Sequence, residues 1–256
     1  MPRPTRHQSS AAPPDSPAAP PASRLLLKER AYRDLKELIQ TGEITQESLL
    51  SERQLAELLG MSKTPIRAAL ENLETQGLVT VSPQRGILVR DLSAREVAEL
   101  FDVRSAVEPF VVGRLARRSV TPAQRDALAE NLRRQQAAAD AEDALAATRL
   151  DIALHRSLAE LLENREMMVW LERCFDRLHR SVLRVNRSAP GRLFESCREH
   201  AGIVAAVLEG RPEDAARLMT EHLGFGRRFL LVGDTASGDD RDRNSKRPPL
   251  LPGGSE

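Results

Sequence analysis

Residues 51–89, SERQLAELLGMSKTPIRAALENLETQGLVTVSPQRGILV, hold two short amphipathic helical patterns and a hairpin-like tail in a stretch too small to fold alone. Ser51 and Gln54 have the three-residue spacing of a capping box, and Leu55, Leu58 and Leu59 supply the apolar stripe of a short helix. LGMSKT then turns the chain. Ser62 or Thr64 can cap the next helix, in whose first turn Pro65 is tolerated because its missing N–H has no partner to lose there. Ile66, Ala69, Leu70 and Leu73 recur at helical spacing and should face inward, and Gly77 suits a left-handed stop. LVTV and ILV, on either side of SPQRG, predict a two-stranded wing. Upstream, Leu27, Ala31, Leu35, Leu38 and Ile39 predict a helix ending near Gly42. The order helix, helix, tight turn, helix, hairpin is that of a winged helix-turn-helix.

Such a unit suits duplex DNA, because a major groove admits one helix with its N-terminal side chains and free N–H groups directed at bases and phosphates. Between Arg53 and Arg90 there are five basic residues against three acidic ones. Lys63 and Arg67 stand at the entry end of the third helix, with Glu71 and Glu74 at its far end. Charges alone would equally describe a solvated amphipathic face. The turn and the wing favour a DNA contact.

The whole chain has 256 residues, 41% hydrophobic and only 3% aromatic, a composition of packed helices that predicts a mainly α protein. Lysine and arginine number 38 against 37 acidic residues, so net charge points to no polyanionic partner. Cys174 and Cys197 lack C-x-x-C spacing, which fits a reducing cytoplasm, and no apolar run has the length of a signal peptide or a membrane span. A cytoplasmic protein with no membrane partner is expected. Composition divides the chain into a Pro/Ala/Ser tail (1–23), the winged domain (24–91), an all-α helical bundle (92–232) and a charged, Gly/Pro-containing tail (233–256), both tails being expected to be disordered.

In the helical segment, SARE (93–96), TPAQ (121–124) and RPED (211–214) each read as a helix start, and Pro109 predicts a kink or break. Leu145, Leu150, Leu154, Leu158, Leu161 and Leu162 supply broad stripes suited to a bundle core. Asp151 and His155, four apart, share a helical face, and His200 and His222 fall on two later helices. Residue type and spacing leave two readings open, a metal site or histidines satisfied within a core.

LSERQLAELLGMSKTPIRAALENLETQGLV followed by RG resembles the DNA-binding domain of GntR-type transcriptional regulators over residues 25–91. That resemblance implies phosphate or guanine contacts for Arg53 and Arg67, groove contacts for Ser62, Lys63 and Thr64, and a wing tip at Arg85 and Gly86. Lys63 stands where arginine is usual, exchanging a bidentate fork for a point charge. Gln46-Glu47 replaces the usual Pro-Gly turn.

The helical segment is similar to the FCD effector domain of the FadR subgroup. The resemblance implies that Asp151, His155, His200 and His222 ligate a divalent metal (Zn, Ni or Mn), with Leu154 where an aromatic is usual before the first histidine. Arg104 and Glu108, in VRSAVEPF, match the pattern of the first effector-domain helix. Arg104 could face a carboxylate effector, or simply pair with Glu108 at i, i+4.

The expected protein is a homodimeric, metabolite-responsive transcription factor that binds a double-stranded DNA operator, a divalent metal and a small carboxylate effector. Two alternatives remain from the residues: a metal-dependent hydrolase, for which three histidines and an aspartate could activate water, and a regulator with a purely structural metal.

Overall fold

The computed structural model describes residues 21–45, 50–82 and 86–244. Its first helix, α1 (Pro21–Thr41), ends at Gly42 with φ +82°, a left-handed conformation that costs glycine nothing. The short helix α2 (Glu52–Leu59) begins with the expected capping box between Ser51 and Gln54 and stops at Gly60 in the left-handed region. After it, α3 (Lys63–Thr75) closes at Gly77, φ +76°, where Leu78 N–H donates to the Leu73 carbonyl at 2.9 Å. Strands β1 (Val79–Ser82) and β2 (Gly86–Val89) pair antiparallel, Val79 opposite Val89 and Ser82 opposite Gly86. Ala31, Leu35, Ile39, Leu55, Ile66, Leu70, Leu73 and Val89 form one buried cluster beneath them. The winged helix-turn-helix is the result.

Six further helices make the all-α bundle: α4 (Ala94–Leu115), α5 (Pro122–Asp140), α6 (Ala144–Leu161), α7 (Arg165–Ser188), α8 (Gly191–Leu208) and α9 (Pro212–Asn244). Their core gathers Val97, Phe101, Val112, Leu128, Leu154, Leu158, Leu178, Ile203, Val207, Met219 and Leu223. Val89 belongs to the winged cluster and Leu92 to the bundle cluster, so the apolar cores separate within the segment between them. Capping boxes form at Ser93 with Glu96 and at Thr121 with Gln124. Polar contacts join the two units. Lys36 pairs with Asp176 at 2.5 Å, Arg149 with Glu37, and Arg90 with Glu96 at 3.0 Å.

Several expectations need correction. Ser62 is the N-cap of α3 but makes no side-chain cap bond, because the residue three along is Pro65, which has no N–H to donate. RPED does open a helix, α9 beginning at Pro212, and Arg211 just before it pairs with Asp214 at 2.6 Å. Helix α4 runs through Pro109 without a break, held on both sides by the buried residues Arg104, Glu108, Val111 and Val112. At the chain ends, residues 21–23 are helical and α9 continues to Asn244, beyond the boundary expected at 232. Extending a helix already nucleated adds one hydrogen bond per residue, and no proline interrupts it before Pro248. The remainder of both expected tails (1–20 and 245–256), Gln46-Glu47 and Arg85 lie outside the described residues.

Candidate functional site

Asp151 and His155 project from one face of α6, His200 comes from the middle of α8 and His222 from α9. Their ligand atoms all lie within 4.8 Å of one another. His222 Nε2 is 3.2 Å from His155 Nε2 and 3.3 Å from His200 Nε2, and His200 Nε2 is 3.4 Å from Asp151 Oδ1. The three histidines are buried, and the Asp151 side chain keeps 20% exposure on the open side.

A second set of residues fixes the rings. His155 Nδ1–H donates to Glu108, His200 Nδ1–H to Gln135 Oε1 at 2.7 Å, and His222 Nδ1–H to Glu199 Oε2 at 2.6 Å. Gln135 is itself oriented, its amide N–H donating to Asn131 Oδ1 at 2.6 Å. Each Nδ1 therefore carries the proton, and in the neutral tautomer each Nε2 presents a lone pair to the same point. Arg104 holds Glu108 (Nε to Oε1, 2.5 Å), and Arg192 grips Glu199 with both terminal nitrogens at 2.8 and 2.6 Å. Two Arg–Glu–His relays thus converge from α4 and α8.

The electrostatics keep His200, His222 and Asp151 in ligating form. Burial drives the His200 imidazole well below its ordinary value, with His222 adding to the effect. Burial also lowers His222, partly offset by its hydrogen bond to Glu199. Burial pushes the Asp151 carboxyl up, but His200, His155 and His222 outweigh it and hold the group below the usual carboxylate range. Glu199 is likewise raised by burial yet held at about 2 by His222 and Arg192. Three imidazoles and a carboxylate are a donor set for a borderline divalent ion. The 3.2–3.4 Å separations suit atoms each about 2.0–2.2 Å from a shared first-row metal. The residues fit the group the resemblance implies.

Beside the cluster lies a cavity of about 70 Å³ whose walls include Arg104, Asp151, Asn186, Arg192, Ser196 and His222, with Phe101, Val182, Leu193 and Leu223 as its apolar part. Arg104 is ion-paired with Glu108, and it also lines the cavity, 6% exposed.

On the winged domain, Ser62, Lys63, Thr64 and Arg67 are exposed along the first turns of α3, and Lys28 of α1 faces the same concavity as the last three. Arg53 is exposed and pairs with Glu57 at 3.0 Å. Arg67 is held by Glu52. Gly86 has a backbone role: at φ +80° its Cβ position would stand 2.6 Å from the Leu50 carbonyl, which accepts from Ile87 N–H at 2.8 Å.

The residue pattern did not reveal Gln135, Arg192 or Glu199 as site residues. Arg192 and Glu199, seven apart on α8, share a helical face, a signal that was available. Gln135 stands alone on α5, and nothing in its neighbourhood marks it.

Residues 27–89 match the model of the gntR family of bacterial regulatory proteins and residues 99–225 that of the FCD domain. An uncharacterized HTH-type transcriptional regulator from the TAR-I ttuE-ttuC' intergenic region of Agrobacterium vitis is 34% identical over 86 residues, 34% of this chain and 50% of that protein. The chain thus spans about half the length of that relative. The uncharacterized HTH-type transcriptional regulator YdhC of Bacillus subtilis is 27% identical over 192 residues, 75% of this chain and 85% of that protein. Among solved structures, E. coli McbR/YncC has a TM-score of 0.72 at 23% identity, covering 80% of this chain and 96% of that one, which shows a common fold. The hydrolase alternative finds no support among relatives that are transcriptional regulators. No helix among the described residues is long and apolar enough to cross a membrane. With both family models matched in the expected order along one chain, the protein is a transcriptional regulator of the GntR family carrying a C-terminal FCD domain.

Proposed function

We propose that this regulator is a cytoplasmic homodimer whose bundle binds one divalent metal through Asp151, His155, His200 and His222, and whose DNA affinity changes when a small organic acid binds beside that metal. The observation that carries the reading is the convergence of three Nε2 atoms whose Nδ1 partners are already fixed. Lone pairs brought within 3.3 Å repel unless a cation or a proton lies between them, and burial opposes the proton at His200 and His222. A metal ion with four protein ligands keeps coordination positions for a carboxylate if it is six-coordinate, as Ni and Mn commonly are. The cavity beside it has room for roughly five to seven water-sized groups, the size of a short hydroxy or keto acid. Arg104 and Arg192 line that cavity with N–H donors, each guanidinium being already paired with a glutamate.

A route from cavity to DNA follows from the helices that line it. Helix α6 carries Asp151 toward the metal and Arg149 toward Glu37 of α1, and α7 lines the cavity with Val182 and Asn186 while Asp176 grips Lys36 of α1. An effector that prefers one arrangement of α6 and α7 therefore biases α1, and with it the recognition helix. On the DNA, Arg53, Ser62, Lys63, Thr64, Arg67 and Arg85 would make the contacts, and a two-fold dimer would set two copies of α3 on two half-sites.

Fluorescence anisotropy on operator DNA tests the coupling. A panel of C2 to C6 organic acids should contain at least one that shifts the affinity of metal-loaded protein by fivefold or more, about 1 kcal/mol of coupling, and has no effect after chelation. An effect that survives chelation would contradict a role for the metal in effector binding. Light scattering should give twice the chain mass, and a monomer at micromolar concentration would overturn the dimer.

A further inference from the structure

Glu52 is the first residue of α2, directly after the Ser51 cap, and Arg67 is the fifth of α3. Their side chains meet across the helix-turn-helix. Arg67 Nε donates to Glu52 Oε1 at 3.0 Å and Arg67 Nη2 to Oε2 at 2.8 Å. The carboxylate thus occupies one side edge of the guanidinium, the edge made by Nε and Nη2. A guanidinium has five N–H groups in fixed directions, and this contact uses two. The end edge remains, with one N–H of Nη1 and one of Nη2 parallel to each other. That pair matches the O6 and N7 acceptors of guanine in the major groove.

The exposures agree with that division. The Glu52 side chain is 28% exposed and that of Arg67 63%, so the carboxylate is the inner partner and the guanidinium the outer one. Lys63 and Thr64, on the same lip of α3, and Lys28 on α1 surround it. An unheld arginine among these groups would settle on any phosphate within reach of its long side chain. A surface ion pair adds little to fold stability, so the consequence of this one lies in orientation.

We propose that Glu52 is a positioning residue for base readout: it fixes the plane of Arg67 so that the end edge of the guanidinium meets a guanine and not a phosphate. The proposal rests on the reading of α3 as the recognition helix. Glu52 also repels the phosphate backbone, which weakens binding to every duplex alike. Removing its charge should therefore move specific and non-specific binding in opposite directions, an outcome that a plain surface ion pair does not produce.

The test uses the full chain with two probes: a duplex recovered by wild-type protein from a random pool, and mixed-sequence genomic duplex. E52Q, which keeps the side-chain shape, should bind the selected duplex about tenfold or more weakly, the range of one lost bidentate contact, and the mixed-sequence duplex as tightly or more tightly. Replacing the contacted guanine by 7-deazaguanine should weaken wild type and leave E52Q unaffected. R67K, which retains the charge and loses the fork, should reproduce the loss on the selected duplex, and matching thermal midpoints will show that both variants fold. Tighter binding of E52Q to both probes, or no change on either, overturns the proposal. If R67A leaves the selected duplex bound as before, the recognition-helix reading itself fails; a loss in R67A with none in E52Q removes the role of Glu52 alone.

Discussion

In the winged region the helix ends are set by contacts between near neighbours, as of Ser51 with Gln54 and Leu78 with Leu73. In the bundle, His200 is oriented by Gln135 at a separation of 65 residues, and His155 meets His222 across 67. The winged surface is therefore a product of local caps, glycine stops and one helical stripe, whereas the cluster exists only once α4, α5, α6, α8 and α9 have packed. Damage should follow the same division. A change at the cluster should lower the stability of the bundle as a whole, and a change in the wing should stay in the wing.

The largest effect is expected from the metal. A ligand that binds only the folded state at a free concentration of about 1,000 times its dissociation constant adds about 4 kcal/mol. Chelation, or His200→Ala, should remove that amount from the calorimetric unfolding of the bundle while binding to mixed-sequence DNA persists. Loss of DNA binding in step with loss of metal would erase the division between the two regions.

Acid should act at the junction between them. His179 on α7 is buried with its Nδ1 unpartnered among the described residues, and burial first, then Arg149 and Lys36, lowers its imidazole to about 4. The unfolded chain takes up this proton near pH 6.5 and the folded protein only near 4, so stability is full above about 6.5 and falls as pH drops through that window. The loss attributable to His179 is on the order of 3 kcal/mol by pH 4. Urea midpoints measured from pH 7 to 4 should show it, and His179→Gln should flatten the slope.

Gly86→Ala sharpens the comparison from the other side. The left-handed φ of +80° and the 2.6 Å approach to the Leu50 carbonyl leave no room for a methyl group. A loss of about 1–3 kcal/mol is expected, with bound metal unchanged. Hydrogen exchange should localise the damage to β1 and β2. The smallest effect is that of single caps: Ser51→Ala and Ser93→Ala should each cost about 1 kcal/mol, the first seen in exchange at α2 and the second at α4.

Legibility in the sequence follows the same contrast. Ser51, Gln54, Gly77 and the leucine and isoleucine stripes specify the winged domain because caps and periodicity act over one to four residues. The pair Asp151 and His155 could be placed on one face for the same reason. Spacing could not bring α8 and α9 to that face, and for His200 and His222 the resemblance to a known family supplied what spacing lacked. Gln135, Arg192 and Glu199 act only through contacts formed by packing. Local reasoning also erred where a residue's chemistry overrides position, as when Pro65 at the third helical position has no N–H for the Ser62 side chain.

The most direct measurement is the metal content of full-length protein purified without chelator, read by elemental analysis beside the Asp151→Ala, His155→Ala, His200→Ala and His222→Ala variants. One divalent ion per chain in the wild type, and a large loss in each variant whose fold is retained, is the predicted result. If the wild-type protein holds no divalent metal, and added Zn, Ni or Mn gives no thermal shift, the four residues are a hydrogen-bonded core cluster and the metal-dependent part of the proposed function is wrong.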